Sequence, residues 1–183
     1  VQIVKGIGII IPLCFSLAVG SYGYNQLVIE KKVKVAYTEQ QVVQIYERLA
    51  RNSGEQGFPA LTILDSPVIN AWTDGINITI TTGILKVFQN DDELALVLAH
   101  EMGHYMNHDP QRGYGDITSN DTEAHADKMG AYIMMRAGFD ECKGKEIMHV
   151  FKHLFGDTAN PMGHPDFAYR YDQLDLPLCH KLF

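Results

Sequence analysis

Residues 90–107 read NDDELALVLAHEMGHYMN, and this stretch decides the fold. Asn90 and Asp91 open a helix, since short polar side chains take up the first free backbone N–H groups. Leu94, Leu96, Val97 and Leu98 follow too densely for a surface helix and mark one buried in the core. Pro110, just past Asn107, ends it. Inside the helix lies His100-Glu101-Met102-Gly103-His104, an H-E-x-x-H motif. At 3.6 residues per turn the two histidines share a face, so both imidazoles can reach one metal ion. Glu101 sits one residue beyond the first of them, near that ion without binding it. From there it can take a proton from water and hand it to a leaving amine. Gly103 lets a second backbone approach this helix closely.

A catalytic zinc takes three protein ligands and keeps one position open. Glu123, 19 residues after His104, is the third candidate. It stands near the start of a helix opened by Ser119 or Asn120 and stopped by Gly138, and an intervening loop can fold that helix back antiparallel. Asp127, four residues on, shares its face and can accept an N–H from a ligand imidazole, fixing the tautomer. His125 points elsewhere at helical spacing. His108 continues the histidine register but falls at the helix end, where a solvated histidine suits the dipole.

Upstream, Thr38 precedes Gln41 by three residues, a capping-box start for a helix running to about Arg51. Short β-rich runs follow at 61–64, 68–72 and 76–81, with Asp74-Gly75 as a hairpin turn. Downstream, a long helix is expected over 141–155 and a short one over 167–174. Glu146, His149 and His153 have metal-site spacing, but a two-metal site needs matching motifs on several helices, so they read as a polar face. Phe151, Phe155, Phe167, Tyr169 and Tyr171 read as core. The order of elements is α+β.

Residues 6–20 (GIGIIIPLCFSLAVG) carry no charge and follow Lys5, the layout of a secretory leader with small residues near a cleavage point. An uncleaved membrane anchor is the competing reading, and a buried core helix the third. The chain thus divides into a leader or anchor at 1–21, a polar connector at 22–37 and one domain at 38–183. Both leader and anchor imply an exported protein, periplasmic or otherwise extracytoplasmic, attached to the membrane through 1–21 if that segment is kept. Removal of Cys14 with a leader would leave Cys142 and Cys179, and sequence alone does not say whether they meet.

The chain has 183 residues and a formal net charge of −7, with 46% hydrophobic and 20% charged residues. That suits one folded domain and argues against nucleic acid as a partner, because the phosphate backbone repels an acidic surface.

Across about 110 residues the chain resembles the HtpX-like family of gluzincin metallopeptidases, which includes CAAX-prenyl endopeptidases. The resemblance rests on Pro67-Val68-Ile69-Asn70-Ala71-Trp72, Ile78-Thr79-Ile80-Thr81-Thr82-Gly83-Ile84-Leu85, His100-Glu101-x-x-His104 with Asn107-His108, Glu123-x-x-x-Asp127, and His164-Pro165 followed by Arg170. It implies a zincin-like fold, with a small, mostly antiparallel sheet packed on several helices. It also implies one zinc ion on His100, His104 and Glu123, and endopeptidase activity with Glu101 as general base. Asn70, Ala71 and Trp72 would then lie on the sheet edge that receives an extended substrate. His164 or Arg170 would stabilise the oxyanion or shape the zinc site, with Asp127 behind the ligands. Two departures stand out. The 18 residues between His104 and Glu123 leave no room for the transmembrane helices many members carry there, and Tyr169 replaces an acidic residue before the tail arginine.

The leading expectation is therefore a zinc endopeptidase acting on extended or unfolded polypeptide. A chaperone-like or latent module that holds clients without cleaving them is the alternative, and the intact Glu101 argues against it. A purely structural metal would call for a closed, cysteine-rich site, and the cysteines lie elsewhere.

Overall fold

A computed structural model describes residues 2–5, 37–109, 120–156, 167–174, 176 and 179. Strand β1 (Gln2–Lys5) is followed by helix α1 (Glu39–Asn52), strands β2 (Ala60–Asp65), β3 (Ala71–Thr73) and β4 (Asn77–Thr81), and helices α2 (Asp91–Met106) and α3 (Asn120–Ala137). Helices α4 (Glu141–Lys145), α5 (Ile147–Phe155) and α6 (Phe167–Gln173) complete the described chain. The class is α+β, compatible with a zincin-like fold. The apolar stretch 6–20 and the connector up to residue 36 lie outside the described residues, whereas Gln2–Lys5, grouped with the leader by sequence, pair with β2. No helix among the described residues is long and apolar enough to cross a membrane.

The sheet order is β1-β2-β4-β3. Among the described residues, pairings β1–β2 and β2–β4 are parallel and only β3–β4 is antiparallel, which corrects the expectation of a mostly antiparallel sheet. The reason is local. The chain leaves β2, skips one position to lay down β3 at the edge, and the Asp74-Gly75 turn returns β4 into the gap. Asp74 Oδ1 accepts from the backbone N–H groups of Ile76 (2.8 Å) and Asn77 (2.6 Å), closing that turn. Thr81 Oγ1 ties the lead-in to β3, donating to Val68 O at 2.6 Å and accepting from Asn70 N at 3.1 Å.

Alternation puts Leu61, Ile63, Ile78 and Ile80 on one face of the sheet, where they meet Val42 and Leu49 of α1 and Leu94, Leu98 and Met102 of α2 in a single core. The capping box at Thr38 and Gln41 forms as expected. Helix α2 is buried from Glu93 to His104. Its start is sealed by Glu93, whose carboxylate accepts from Gln89 N and Asn90 Nδ2 while Asn90 Oδ1 accepts from Glu93 N.

The single helix expected over 141–155 is two helices. At Glu146 the backbone switches to tighter i−3 bonds, Glu146 N to Lys143 O and His149 N to Glu146 O, and one helix ends and the next begins there. Cys142 of α4 and Cys179, beyond α6, form a disulfide across 37 residues of chain.

Candidate metal centre

Two glycines let α3 reach the histidine helix. A Cβ at Gly103 would stand 2.8 Å from Ala126 O, and one at Gly130 would stand 2.9 Å from His100 N. Residue 103 therefore meets 126 while residue 100 meets 130, so the two helices run antiparallel in near backbone contact. That approach delivers Glu123 and Asp127 to the histidines.

His100 Nε2 and His104 Nε2 face each other at 3.0 Å. Glu123 bridges them, with Oε2 at 3.4 Å from His100 Nε2 and Oε1 at 3.3 Å from His104 Nε2. One ligand atom from each of the three residues falls within 4.8 Å of the others, and all three residues are buried. Each imidazole is held from behind. Asp127 Oδ1 lies 2.8 Å from His100 Nδ1, and Asp109 Oδ2 lies 2.9 Å from His104 Nδ1. Carboxylates that accept the Nδ1 protons leave both Nε2 atoms as lone-pair donors toward a common point.

Arg170 of α6 closes the centre. Its Nε donates to Asp127 Oδ2 at 2.7 Å and its Nη2 to Asp127 Oδ1 at 2.6 Å, a two-pronged pair. Its Nη1 lies 3.1 Å from Glu123 Oε2. Burial raises the Asp127 carboxyl, but Arg170 and then His100 outweigh it and hold the group at about 2. In the metal-free chain burial and Arg170 pull the His100 imidazole down, but the Asp127 and Glu123 carboxylates outweigh them and raise it to about 10, so a metal ion binds there by displacing the Nε2 proton.

The residues present suit a divalent cation. Glu101, Asp109, Glu123 and Asp127 are all buried here, and Arg170 is the one buried residue of permanent positive charge among those described. Uncompensated buried carboxylates are costly, and a cation between two imidazoles and a carboxylate offsets that cost. Two neutral imidazole nitrogens and one carboxylate form a donor set suited to zinc with a position left open.

Of the residues singled out by sequence, the fold brings His100, His104, Glu123, Asp127 and Arg170 into one cluster, with Glu101 beside it. His164 lies outside the described residues. Ala71 faces a cavity that His100 and Glu101 also line, whereas Trp72, its neighbour on β3, does not line it. Asn70 holds the start of β3, and its Oδ1 is buried with no hydrogen-bond partner among the described residues. His125 and His108 are exposed, as are Glu146, His149 and His153. Phe151 and Phe167, expected as core, are buried and also wall the cavity. Asp109 was missed. Its signal is the need of each ligand imidazole for an acceptor, which His104 can meet only just past its own helix.

Residues 36–116, which carry β2, β3, β4 and the histidine helix, match the model of Peptidase family M48. This stretch, less than half of the chain, is similar to the M48 peptidases. The chain is 40% identical over 77 residues to a protein named "Protease HtpX homolog" from Nitrosomonas europaea (strain ATCC 19718), covering 39% of this chain and 26% of that one. It is 32% identical over 118 residues to the Bacillus subtilis (strain 168) protein of the same name, covering 53% of this chain and 39% of that one. A Bacteroides fragilis (strain YCH46) homologue is 37% identical over 73 residues, covering 37% and 22%. The matched part of the chain thus spans between 22% and 39% of these three relatives' lengths.

Proposed function

We propose that the chain is a zinc-dependent endopeptidase that hydrolyses peptide bonds in extended or unfolded polypeptides. The observation that carries this is the convergence of His100 Nε2, His104 Nε2 and a Glu123 oxygen within 4.8 Å of one another. Glu101, on the same helix, adjoins them and lines a cavity beside them. The likeness to the M48 family and the protease names of the relatives support the same reading.

A zinc ion held by those three residues would supply Lewis-acid polarisation of the scissile carbonyl and activation of a water. The remaining work belongs to the protein. Glu101 takes the proton of the attacking water and returns it to the leaving nitrogen. Asp127 and Asp109 hold the imidazoles in one tautomer and orientation. Arg170 spends its fork on Asp127 and reaches Glu123, so we assign it to positioning these carboxylates. The edge of β3 can pair with an extended chain through backbone hydrogen bonds, which tolerates varied sequence.

We further propose an extracytoplasmic location, whether the first residues are a leader or an anchor. The charge-free stretch 6–20 supports it, and so does the Cys142–Cys179 disulfide, a bond that persists in oxidising compartments.

The test uses the zinc-loaded full chain and its Glu101→Gln variant on a reduced, alkylated, permanently unfolded protein, with bound zinc measured in both. The expected result is cleavage by the unmutated chain only, abolished by a chelator and restored by zinc, with equal zinc in the two proteins. If both hold zinc and neither cuts, the protein is a holding module and the endopeptidase reading fails.

A further inference from the structure

Helix α6 supplies Arg170 to the metal centre, yet its seven residues are too few to hold a helix on their own. It stands because it is docked. Toward α3, the Arg170 fork grips Asp127. Toward α5, the Phe167 ring packs against Phe151 at 5.3 Å and the Tyr171 ring against His149 at 4.2 Å. Toward α4, Lys145 Nζ donates to Leu174 O at 2.8 Å and lies 3.9 Å from the centre of the Tyr171 ring. The Cys142–Cys179 disulfide adds a covalent tie in the same place, joining α4 to the chain just past α6. The α4 end of that tie is seated on the histidine helix. Asp140 N, at the start of α4, donates to Asp92 Oδ1 at 2.8 Å, and a Cβ at Gly144 would stand 2.8 Å from Asp92 O. The other end is carried by a short turn, with Cys179 N donating to Leu176 O at 2.8 Å. Both cysteines are half-buried, so the bond is within reach of a thiol in solvent.

Building on the zinc site of the proposed function, though not on turnover, we propose that the Cys142–Cys179 bond is a redox switch on the metal centre, acting through Arg170. An external dithiol attacks one sulfur as thiolate, and its second thiol then displaces the mixed disulfide. Two electrons and two protons pass to the chain, which is left with two thiols, while the dithiol becomes a disulfide. In the closed ring an undocked α6 stays tethered beside α4, which limits the entropy it gains by leaving. Opening the ring removes that limit, so undocked states become more populated. Arg170 leaves with α6. Asp127 and Glu123 then lose the guanidinium that orients them, and His100 loses the fixed acceptor behind its Nδ1. The centre is thus complete only where thiols are oxidised. A newly made chain in a reducing compartment holds zinc weakly, and oxidation after export completes the site.

The test uses the full chain in a Cys14→Ser background, so that no third thiol exchanges. One sample keeps the ring closed. The other is opened with dithiothreitol, desalted and capped with iodoacetamide, and a Cys142→Ser, Cys179→Ser chain serves as a second open form without the added bulk. Zinc affinity is read by competition with a chromophoric chelator, and amide exchange by mass spectrometry. Both open forms are expected to bind zinc on the order of 10-fold more weakly than the closed chain. Exchange should quicken over 167–173 and stay unchanged over α1 and α2. In Arg170→Ala the closed and open forms should bind zinc within about twofold of each other, because the bond then has nothing to hold in place. Arg170→Lys, a milder change, should shrink the difference partway. Zinc binding by the open forms as tight as or tighter than that of the closed chain would overturn the switch. So would a difference that survives in full in both Arg170 variants, or faster exchange throughout α1 and α2, which would make the bond a prop for the whole fold. The expected zinc difference in a chain that cleaves nothing would keep the switch and reject the endopeptidase reading, whereas cleavage without the difference would do the reverse.

Discussion

Asp109 Oδ2 reaches His104 Nδ1 at 2.9 Å, although Asp109 lies beyond the end of the helix that carries the histidine. The chain manages this by passing through a left-handed residue, His108 at φ 57°, which turns the backbone back on itself. On the other side Asp127, from a different helix, reaches His100 Nδ1 at 2.8 Å. The two ligand imidazoles are thus steadied by carboxylates of unrelated origin, one local and one brought by helix packing.

Asp109→Asn should therefore weaken zinc binding without unfolding the chain. The expected loss is about 10- to 100-fold in affinity, read by competition with a chromophoric chelator. An affinity within twofold of the unmutated chain would show that His104 needs no such support.

Arg170→Ala should be costly to the metal-free protein, because it leaves Asp127 and Glu123 buried without their guanidinium. Removing one partner of a buried ion pair costs about 3–5 kcal/mol. Arg170→Lys keeps the charge and loses the fork, so it should fall between the two. Urea unfolding in the presence of a chelator gives all three values.

Gly130→Ala tests the close approach of α3 to α2. The new methyl would lie 2.9 Å from His100 N, backbone that cannot swing aside, so the helices must part. We expect about 1–3 kcal/mol of destabilisation together with a loss of zinc affinity, because the same movement withdraws Glu123. Loss of stability with unchanged affinity would separate the packing from the site.

The β3–β4 turn gives a pH signature away from the centre. The Asn77 and Ile76 N–H groups hold the Asp74 carboxyl below its ordinary value, chiefly through Asn77. A folded-state value below the unfolded one stabilises the fold above the unfolded value, and that stability is lost as pH falls through the folded value. Asp74→Asn keeps an acceptor oxygen and removes the titration. The difference in Tm between the two proteins should accordingly shrink from pH 6 toward pH 3.

What could be read from sequence follows from how local each signal is. The His100–His104 pair and the Glu123–Asp127 pair register themselves through helix periodicity, and the Thr38–Gln41 box lies within one turn. Arg170 came only from the likeness of the His164 to Arg170 tail to a known family. Asp109 was hidden because its role depends on the sign of one backbone angle at His108. The parallel pairing of β2 with β4 was hidden because it depends on where β3 lands, which Leu61, Ile63, Ile78 and Ile80 constrain only by facing the same core. Phe151 and Phe167 look alike as core or as pocket wall, and only the position of α6 against α5 shows that they are both.

The Cys142–Cys179 bond encloses α5 and α6, the two elements that bring Met148, Phe151, Phe167 and Arg170. Protein recovered from a reducing host carries these helices on an open strand of chain, held by packing and by the ion pairs of Arg170. Protein recovered from an oxidising host carries them on a closed covalent ring. The two preparations share a sequence and a zinc motif, yet they are different reagents, and the thiol titre of a sample should be known before its zinc affinity is compared with another's.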